Sequence, residues 1–262
     1  MLIIIIMKRT IFNVTSYLVL FVALQLLVVT IVNFVATSVF HTVEGNPVTL
    51  LVGSAVTNVA VVALFLSLKM SPVNKEYLLS RPWATLAWSV VCALGVVLPS
   101  VWLQELLPPL PDVVSEQMMK MMRVPGGYFV IAVLAPVAEE LVFRGAILRQ
   151  LSETLRSRWT AIAISALLFA LVHGNPAQMP HAFAMGLILG WMYCRTKSIV
   201  PGVAFHWCNN TVAYFLSIVL PDPDAKLIDL YGGNETSLIL SLVFSLCIFV
   251  PSIVQLNMRM KR

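Results

Sequence analysis

Long apolar stretches, separated by short charged or Pro-rich segments, dominate the hydropathy pattern of this 262-residue chain. A helix needs about 20 apolar residues to cross a bilayer, so charge-free intervals predict the membrane spans. Outside the region 149–197, the predicted spans are residues 10–42, 45–68, 82–104, 125–148, 198–220 and 236–258. The fourth of these, 125–148, is interrupted by charged residues, which are considered below.

The interval 159–194 contains no Asp, Glu, Lys or Arg and is too long for a single span. Gly174, Asn175, Pro176 and Pro180 divide it, and residues of these types break helices. We therefore predict a hairpin of two short spans here, the fifth and the sixth. The chain as a whole is predicted to be an all-α polytopic membrane protein with about eight transmembrane helices.

The distribution of basic residues tests this topology. With eight spans, 14 of the 17 Lys and Arg residues lie on the side of the two termini, or 13 if the intramembrane Arg144 is set aside. Only Lys120, Arg123 and Lys226 lie on the other side. Lys and Arg are enriched in cytoplasmic loops, so we predict cytoplasmic termini. Apolar residues precede the first basic pair, the reverse of a signal peptide, so we expect a retained first span, with Met7 a candidate start.

Composition supports the membrane assignment and excludes several classes of protein. The chain is 59% hydrophobic and only 11% charged, whereas soluble domains carry about 25% charged residues. A soluble enzyme, a disordered chain and a disulfide scaffold are therefore excluded. The net charge of +5 is attributed to basic loops, so the expected partners are membrane lipids and not nucleic acid. Four cysteines form no C-x-x-C pair, so neither a zinc ribbon nor a thiol redox motif is supported.

The predicted organisation is one membrane domain with three regions. Residues 1–124 form an N-terminal three-span region, 125–220 the candidate catalytic core, and 221–262 an outer loop and the last span. Within the first region, the loop 106–123 is Pro-rich and then Met-rich. We expect it to pack at the outer membrane interface, with contact to a substrate as the alternative.

Charged residues inside a span cost several kcal/mol and are functional candidates for that reason. The fourth span contains Glu139, Glu140 and Arg144. Glu140 and Arg144 are four residues apart with the acid first, which favours an ion pair on a helix. Glu139 points about 100° away from Glu140 and has no partner on its own helix. One carboxylate is thus predicted to be paired and the other to be free for a different contact.

Two other spans contribute polar residues. His173 ends the fifth span, and His206 and Asn210 lie four residues apart on one face of the seventh. His41 and His181 lie in or near loops and are interpreted as surface or interface residues. The site is therefore predicted to form between spans four, five and seven.

Two chemistries use these residues. Glu139 and His173 could activate a water molecule while His206 and Asn210 stabilise an oxyanion, as in a hydrolase. Alternatively, Glu139, His173 and His206 could be three zinc ligands with an open position for water. The sequence alone does not separate these alternatives.

The motifs Glu139-Glu140-x-x-x-Arg144, Phe169-x-x-x-His173 and His206-x-x-x-Asn210 resemble those of the CAAX-protease and bacteriocin-processing (CPBP, or Abi) family of intramembrane endopeptidases. The segment from Gly186 to Gly202 is also similar to the family pattern, except that Lys197 replaces the usual small residue, a change we expect to be harmless. The resemblance covers roughly residues 128–220.

The resemblance implies a membrane endopeptidase acting on peptides or lipidated proteins, of the prenylated CAAX type or bacteriocin-like. It implies that Glu139 and His173 activate water, that His206 and Asn210 form the oxyanion hole, and that Glu140 and Arg144 hold the shape of the site. No cofactor is favoured, with zinc as the alternative. We expect a bacterial inner (plasma) membrane. A non-catalytic immunity or scaffold protein of the same fold is the second hypothesis, and a proton-relaying transporter the third.

Overall fold

The computed structural model describes residues 2–219 and 225–260, which form helices and connecting loops with no strand among them. The α-helices are α1 Leu2–Phe40, α2 Pro47–Ser67, α3 Lys75–Leu79, α4 Trp83–Glu105, α5 Ser115–Met122, α6 Ala135–Glu140, α7 Arg149–Thr154, α8 Arg158–Val172, α9 Met179–Thr196, α10 Val200–Val219 and α11 Glu235–Arg259. Two π-helical segments, π1 Phe129–Leu134 and π2 Leu141–Leu148, alternate with α6 and α7, and a 3-10 turn covers Leu227–Tyr231.

Every predicted span coincides with helical structure, and the all-α membrane fold is confirmed. Four helices, α1, α2, α4 and α11, are long and apolar enough to cross a membrane, and α8 is a shorter apolar helix. The total of eight crossings remains a prediction. Lys261 and Arg262, two of the basic residues assigned to the cytoplasmic side, lie outside the described residues.

The first helix is longer than the charge pattern predicts. It begins at Leu2 and includes Lys8 and Arg9, so it covers 39 residues instead of starting after the basic pair. At 1.5 Å per residue this is about 58 Å, well beyond the roughly 30 Å of a hydrocarbon core. The helix therefore extends beyond the N-terminal end of the predicted span 10–42, because helical structure need not end where the membrane ends.

Polar side chains at several helix starts explain why those helices begin where they do. Asn46 accepts hydrogen bonds from the backbone N–H groups of Val48 and Thr49 at the start of α2. Ser157 and Asn234 cap α8 and α11 in the same way. Such caps satisfy backbone donors that the first helical turn leaves unpaired.

The charge-free interval 159–194 is a helical hairpin, as predicted. Helix α8 ends at Val172 and α9 begins at Met179, and Gly174 in the turn has a φ of 62°. The buried Asn175 ties this turn to the outer loop: its amide nitrogen donates to Asp112 at 3.0 Å and its oxygen accepts from the Val113 N–H at 3.1 Å. The turn and the outer loop are therefore held together.

Two glycines of α9 permit close packing of the hairpin. A Cβ atom on Gly186 would lie 2.7 Å from the Cβ of Ala166, and one on Gly190 would lie 2.9 Å from Ile162. Small residues at such positions let two helices approach closely. Helix α9 ends at Thr196, and its C-cap Lys197 has a left-handed φ of 53°. A glycine would adopt this conformation without steric cost, which gives a physical reason for a small residue here.

The remaining helices pack around this hairpin. Helix α4 packs against α10 and α11, while α1 packs against α2, π2 and α7. The Met-rich loop forms the short helix α5, which packs against α2. The candidate core thus contacts the N-terminal region along α1, α2 and α4.

Candidate active site

Glu139 and Glu140 end α6, a short α-helical turn between two π-helical segments. Pro136 in the first turn of α6 has no N–H to donate, which suits a change of hydrogen-bonding pattern at this point. The following segment, π2, is buried at every residue. Short π-helical segments occur frequently at functional sites, and the charge and hydropathy patterns gave no signal for them.

The predicted ion pair between Glu140 and Arg144 is present. Arg144 Nη1 lies 2.8 Å from Glu140 Oε1, and the side chains are 1% and 0% exposed. The guanidinium also lies over the ring of Phe169, 4.4 Å from its centroid, in cation–π geometry. Gly202 gives the carboxylate room, because a Cβ there would lie 2.8 Å from Glu140 Oε2.

His206 lies against both carboxylates. Its Nδ1 is 3.2 Å from Glu140 Oε1, and its Nε2 is 3.6 Å from Glu139 Oε2. A carboxylate can only accept, so the shorter contact places a proton on Nδ1. In the neutral ring, Nε2 then has its lone pair towards Glu139. The contact with Glu140 was not predicted, because nothing in the sequence pairs a residue of span seven with that carboxylate.

His173 is the C-cap of α8, and its Nδ1 is 2.8 Å from the carbonyl oxygen of Phe169. A carbonyl oxygen only accepts, so Nδ1 carries the proton, and Nε2 of the neutral ring is an acceptor. Phe169 contacts both histidines edge-on, with ring centroids 4.8 Å from His173 and 5.8 Å from His206. Phe169 thus fixes the two rings and lies beneath Arg144.

Asn210 lies on the same helix as His206 but bonds elsewhere. Its amide nitrogen donates to the carbonyl oxygen of Ile131 at 3.2 Å, and its oxygen accepts from Asn209 at 3.4 Å. The Asn209 amide nitrogen is also 3.5 Å from His181 Nε2. His181 had been interpreted as a surface or interface residue, and its assignment to the surface is wrong. It is half-buried at the start of α9, because the helix begins directly at Met179-Pro180. His41 is exposed, as expected.

Glu139 and His173 line one cavity of about 260 Å³, which His206 and Asn210 do not reach. Its lining residues are Phe21, Gln25, Val114, Met118, Glu139, Phe143, Phe169, Val172, His173 and Gln178. The charge and hydropathy patterns do not indicate that α1 contributes to this wall, whereas the position of Met118 agrees with the alternative of substrate contact for the Met-rich loop. A larger cavity of about 460 Å³ beside Tyr128 and Tyr214 has no Glu or His in its lining, so the smaller cavity is the candidate active site.

The zinc alternative can be tested on the positions of the three predicted ligands. Within residues 2–219 and 225–260, no three His, Cys, Asp or Glu side chains are grouped so as to hold a metal ion. His206 Nε2 and Glu139 Oε2 are adjacent, while His173 faces the cavity from α8. As placed, Glu139, His173 and His206 do not form such a group and do not fit a zinc site.

Comparison with known proteins bears on the same segment. Residues 123–212 match the family model described as Type II CAAX prenyl endopeptidase Rce1-like. This range contains all three motifs. The resemblance to the CPBP family is confirmed.

Two curated relatives extend the match. The membrane-embedded CAAX protease MroQ of Staphylococcus aureus (strain USA300) is 25% identical over 158 residues, which cover 56% of this chain and 62% of the relative. The putative membrane peptidase YdiL of Bacillus subtilis (strain 168) is 28% identical over 95 residues, 36% of this chain and 38% of the relative. The chain thus matches less than two thirds of the length of either protein. No solved structure matches the chain significantly.

Proposed function

We propose that this protein is a membrane-embedded endopeptidase that hydrolyses peptide bonds of membrane-associated substrates. One observation carries the proposal: Glu139 of α6 and His173 at the end of α8 line the same cavity. Glu139 is 22% exposed and has no salt-bridging cation among the described residues other than the His206 ring. Its carboxylate is therefore available for a water molecule, in contrast to the buried Glu140.

In the proposed reaction, Glu139 accepts a proton as a water oxygen attacks the scissile carbonyl carbon. His173 Nε2 orients that water as a second acceptor. When the C–N bond breaks, the proton on Glu139 passes to the leaving amine nitrogen. The products are a carboxylic acid and an amine, which become a carboxylate and an ammonium group when the acid proton passes to the amine, and the enzyme is left unchanged.

The charged and polar residues around Glu139 hold the site in shape. Arg144 and Glu140 neutralise one another, and the contact of Glu140 with Nδ1 fixes the orientation of the His206 ring. We retain the oxyanion role for His206 and Asn210 as part of the proposal, since His206 lies 3.6 Å from Glu139 and Asn210 follows it by one helical turn on α10. This role requires Nε2 of His206 to carry a proton as well, because the Nδ1–H donates to Glu140. It also requires the Asn210 amide to use its second N–H, because the first donates to Ile131.

Purified variants test the assignment. Glu139→Gln and His173→Ala should lower cleavage by about 10²- to 10⁴-fold, the range for loss of a general acid–base group. The matched controls are Glu153→Gln, a carboxylate that is 56% exposed, and the exposed His41→Ala, which should retain activity. The substrates are a farnesylated CAAX peptide and its unlipidated counterpart. Unchanged cleavage in Glu139→Gln would contradict the proposal.

We propose a metal-free mechanism, supported by the spacing of the three candidate zinc ligands. Activity of the wild-type protein should survive a strong chelator, and elemental analysis should find no stoichiometric zinc. Loss of activity on chelation, with recovery on addition of zinc, would favour the metallopeptidase instead.

A further inference from the structure

Two glutamine side chains line the candidate active-site cavity beside Glu139 and His173. Gln25 belongs to α1, far from the family motifs in sequence, and Gln178 precedes α9. Neither residue has a role in the mechanism above. Both amides line the same cavity as Glu139 and His173, so they can contact a substrate bound there.

Gln25 lies deep in an apolar helix. It is 16 residues from Arg9 and 15 from Phe40, or about 24 Å and 22 Å along the helix axis. A polar side chain at membrane depth is costly unless it faces the protein interior and finds a partner. Gln25 shares its helix face with Phe21, which is 1% exposed, so it is directed towards the core and the cavity.

Other glutamines in contact with the bundle have protein partners. Gln104 donates to the carbonyl oxygen of Ala177 at 2.7 Å, and Gln150 accepts from Asn13 at 3.0 Å. In the described part of the chain, the Gln25 amide has no such bond, and Gln178 makes no side-chain capping bond although it is the N-cap of α9. Both amides are thus left to interact with whatever enters the cavity.

A carboxamide offers one acceptor oxygen and two N–H donors, which match the N–H and C=O of a peptide unit. A polypeptide must be extended to present a bond to Glu139, so its own backbone groups lose their helical partners. In an apolar cavity those groups need new hydrogen bonds from the protein. Apart from Glu139, His173 and the two glutamines, the residues that line the cavity are apolar. Gln25 and Gln178 are therefore the lining residues whose side-chain amides can bond to a substrate backbone.

We propose that Gln25 and Gln178 bind the backbone of the substrate on either side of the scissile peptide bond. This inference rests on the endopeptidase function proposed above. It makes the enzyme tolerant of substrate side chains, because backbone groups are common to every sequence. It also assigns a substrate-binding role to α1, which lies outside the segment that matches the family model.

The variants Gln25→Met and Gln178→Met test the proposal, because methionine keeps the length of the side chain and removes its hydrogen-bonding groups. Each should raise KM for the farnesylated CAAX peptide about three- to tenfold, the effect of one lost neutral hydrogen bond, with kcat within twofold of the wild type. The matched control is Gln255→Met on α11, a half-buried residue that does not line the cavity. Its KM should be unchanged.

A substrate analogue sharpens the test. Replacing one amide next to the scissile bond by an ester removes a backbone N–H. This change should raise KM for the wild type. It should not raise KM further in the variant that lacks the glutamine to which that N–H is bonded. The proposal would be overturned if the effects of the ester and of the methionine substitution on KM were additive at every ester position tested. It would also be overturned if both variants had a KM within twofold of the wild type.

Binding separates this inference from the proposed function. If the wild type cleaves neither peptide, the endopeptidase assignment fails. Fluorescence anisotropy of the labelled peptide would then still measure the contribution of Gln25 and Gln178. Equal affinity in the wild type and both methionine variants would contradict the amide-binding role.

Discussion

Arg144 is the residue on which the charge balance of the site depends. Its guanidinium is fully buried, with one bond to Glu140 and one face against Phe169. Burial of an ion pair is weak evidence for stability, but removal of one partner leaves an uncompensated charge in the interior. The position therefore should not tolerate an uncharged residue while Glu140 remains ionised.

Arg144→Met should destabilise the protein by about 3–5 kcal/mol, the usual cost of breaking a buried pair. Thermal unfolding in detergent measures the change. Lys120→Met is the control, because it breaks an i,i+4 pair with side chains 57% and 79% exposed and should leave the unfolding temperature close to that of the wild type. The double variant Glu140→Gln/Arg144→Met should recover part of the loss. Equal effects of Arg144→Met and Lys120→Met would contradict this account.

At the residue scale, the sequence predicted the charged pair but not the neighbours of each group. The four-residue spacing of Glu140 and Arg144 is a local property of one helix, so it could be inferred directly. The contacts of His206 with both carboxylates join segments 66 residues apart. His181 was misassigned for a related reason, because its burial depends on where α9 begins and on α10 beside it.

Among the elements, the α8–α9 hairpin fixes the position of His173. The helices approach closely because Gly186 faces Ala166 and Gly190 faces Ile162. Added side-chain volume at this contact would displace α8 relative to α9, and His173 at the end of α8 would move with it. The hairpin therefore links a packing contact to the geometry of the cavity.

Gly186→Ala should destabilise the protein by about 1–3 kcal/mol, as overpacking does, and should also lower peptide cleavage. The added Cβ would lie 2.7 Å from the Cβ of Ala166, so Gly186→Ala/Ala166→Gly should restore part of both properties. Gly53→Ala in α2 is the control, because its Cβ would meet Val29 at an ordinary 3.5 Å. Absence of any rescue in the double variant would show that this contact does not limit stability.

The helices themselves were largely predictable, because gaps between charges and the Gly174–Pro180 break are visible in the sequence. The π-helical turns were not. They reflect how the buried segment Leu141–Leu148 accommodates its neighbours, and a run of apolar residues carries no signal for an extra residue in a turn. The charge pattern likewise did not indicate that α1 begins at Leu2, because the helix continues through Lys8 and Arg9.

For the whole molecule, the distribution of charge predicts the orientation in the membrane. The loop before α8 and the termini are expected in the cytoplasm, and α5 is expected on the outer side. Three native cysteines are buried, whereas Cys247 is exposed on the apolar helix α11. Labelling of introduced cysteines can therefore report orientation once Cys247 is replaced.

In a Cys247→Ser background, Glu116→Cys should react with a membrane-impermeant maleimide on intact cells. Ser157→Cys should react only after the membrane is permeabilised. Both positions have measurable exposure in the structure, so accessibility to the reagent is not limited by packing. The reverse labelling pattern would invert the predicted topology. Labelling of both positions on intact cells would contradict the single span predicted between them, because an odd number of spans places them on opposite sides of the membrane.

The cavity wall formed by α1 and α5 also limits how far the family segment can act as an independent module. Grafting residues 123–212 onto the early helices of a relative would transfer Glu139, His173 and their supporting residues together. The chimaera would nevertheless receive a foreign wall in place of Phe21, Gln25, Val114 and Met118. Under the proposed function, catalytic chemistry and substrate choice would thus be separable in evolution, because the motif residues would set the reaction and the first helices would set the substrate.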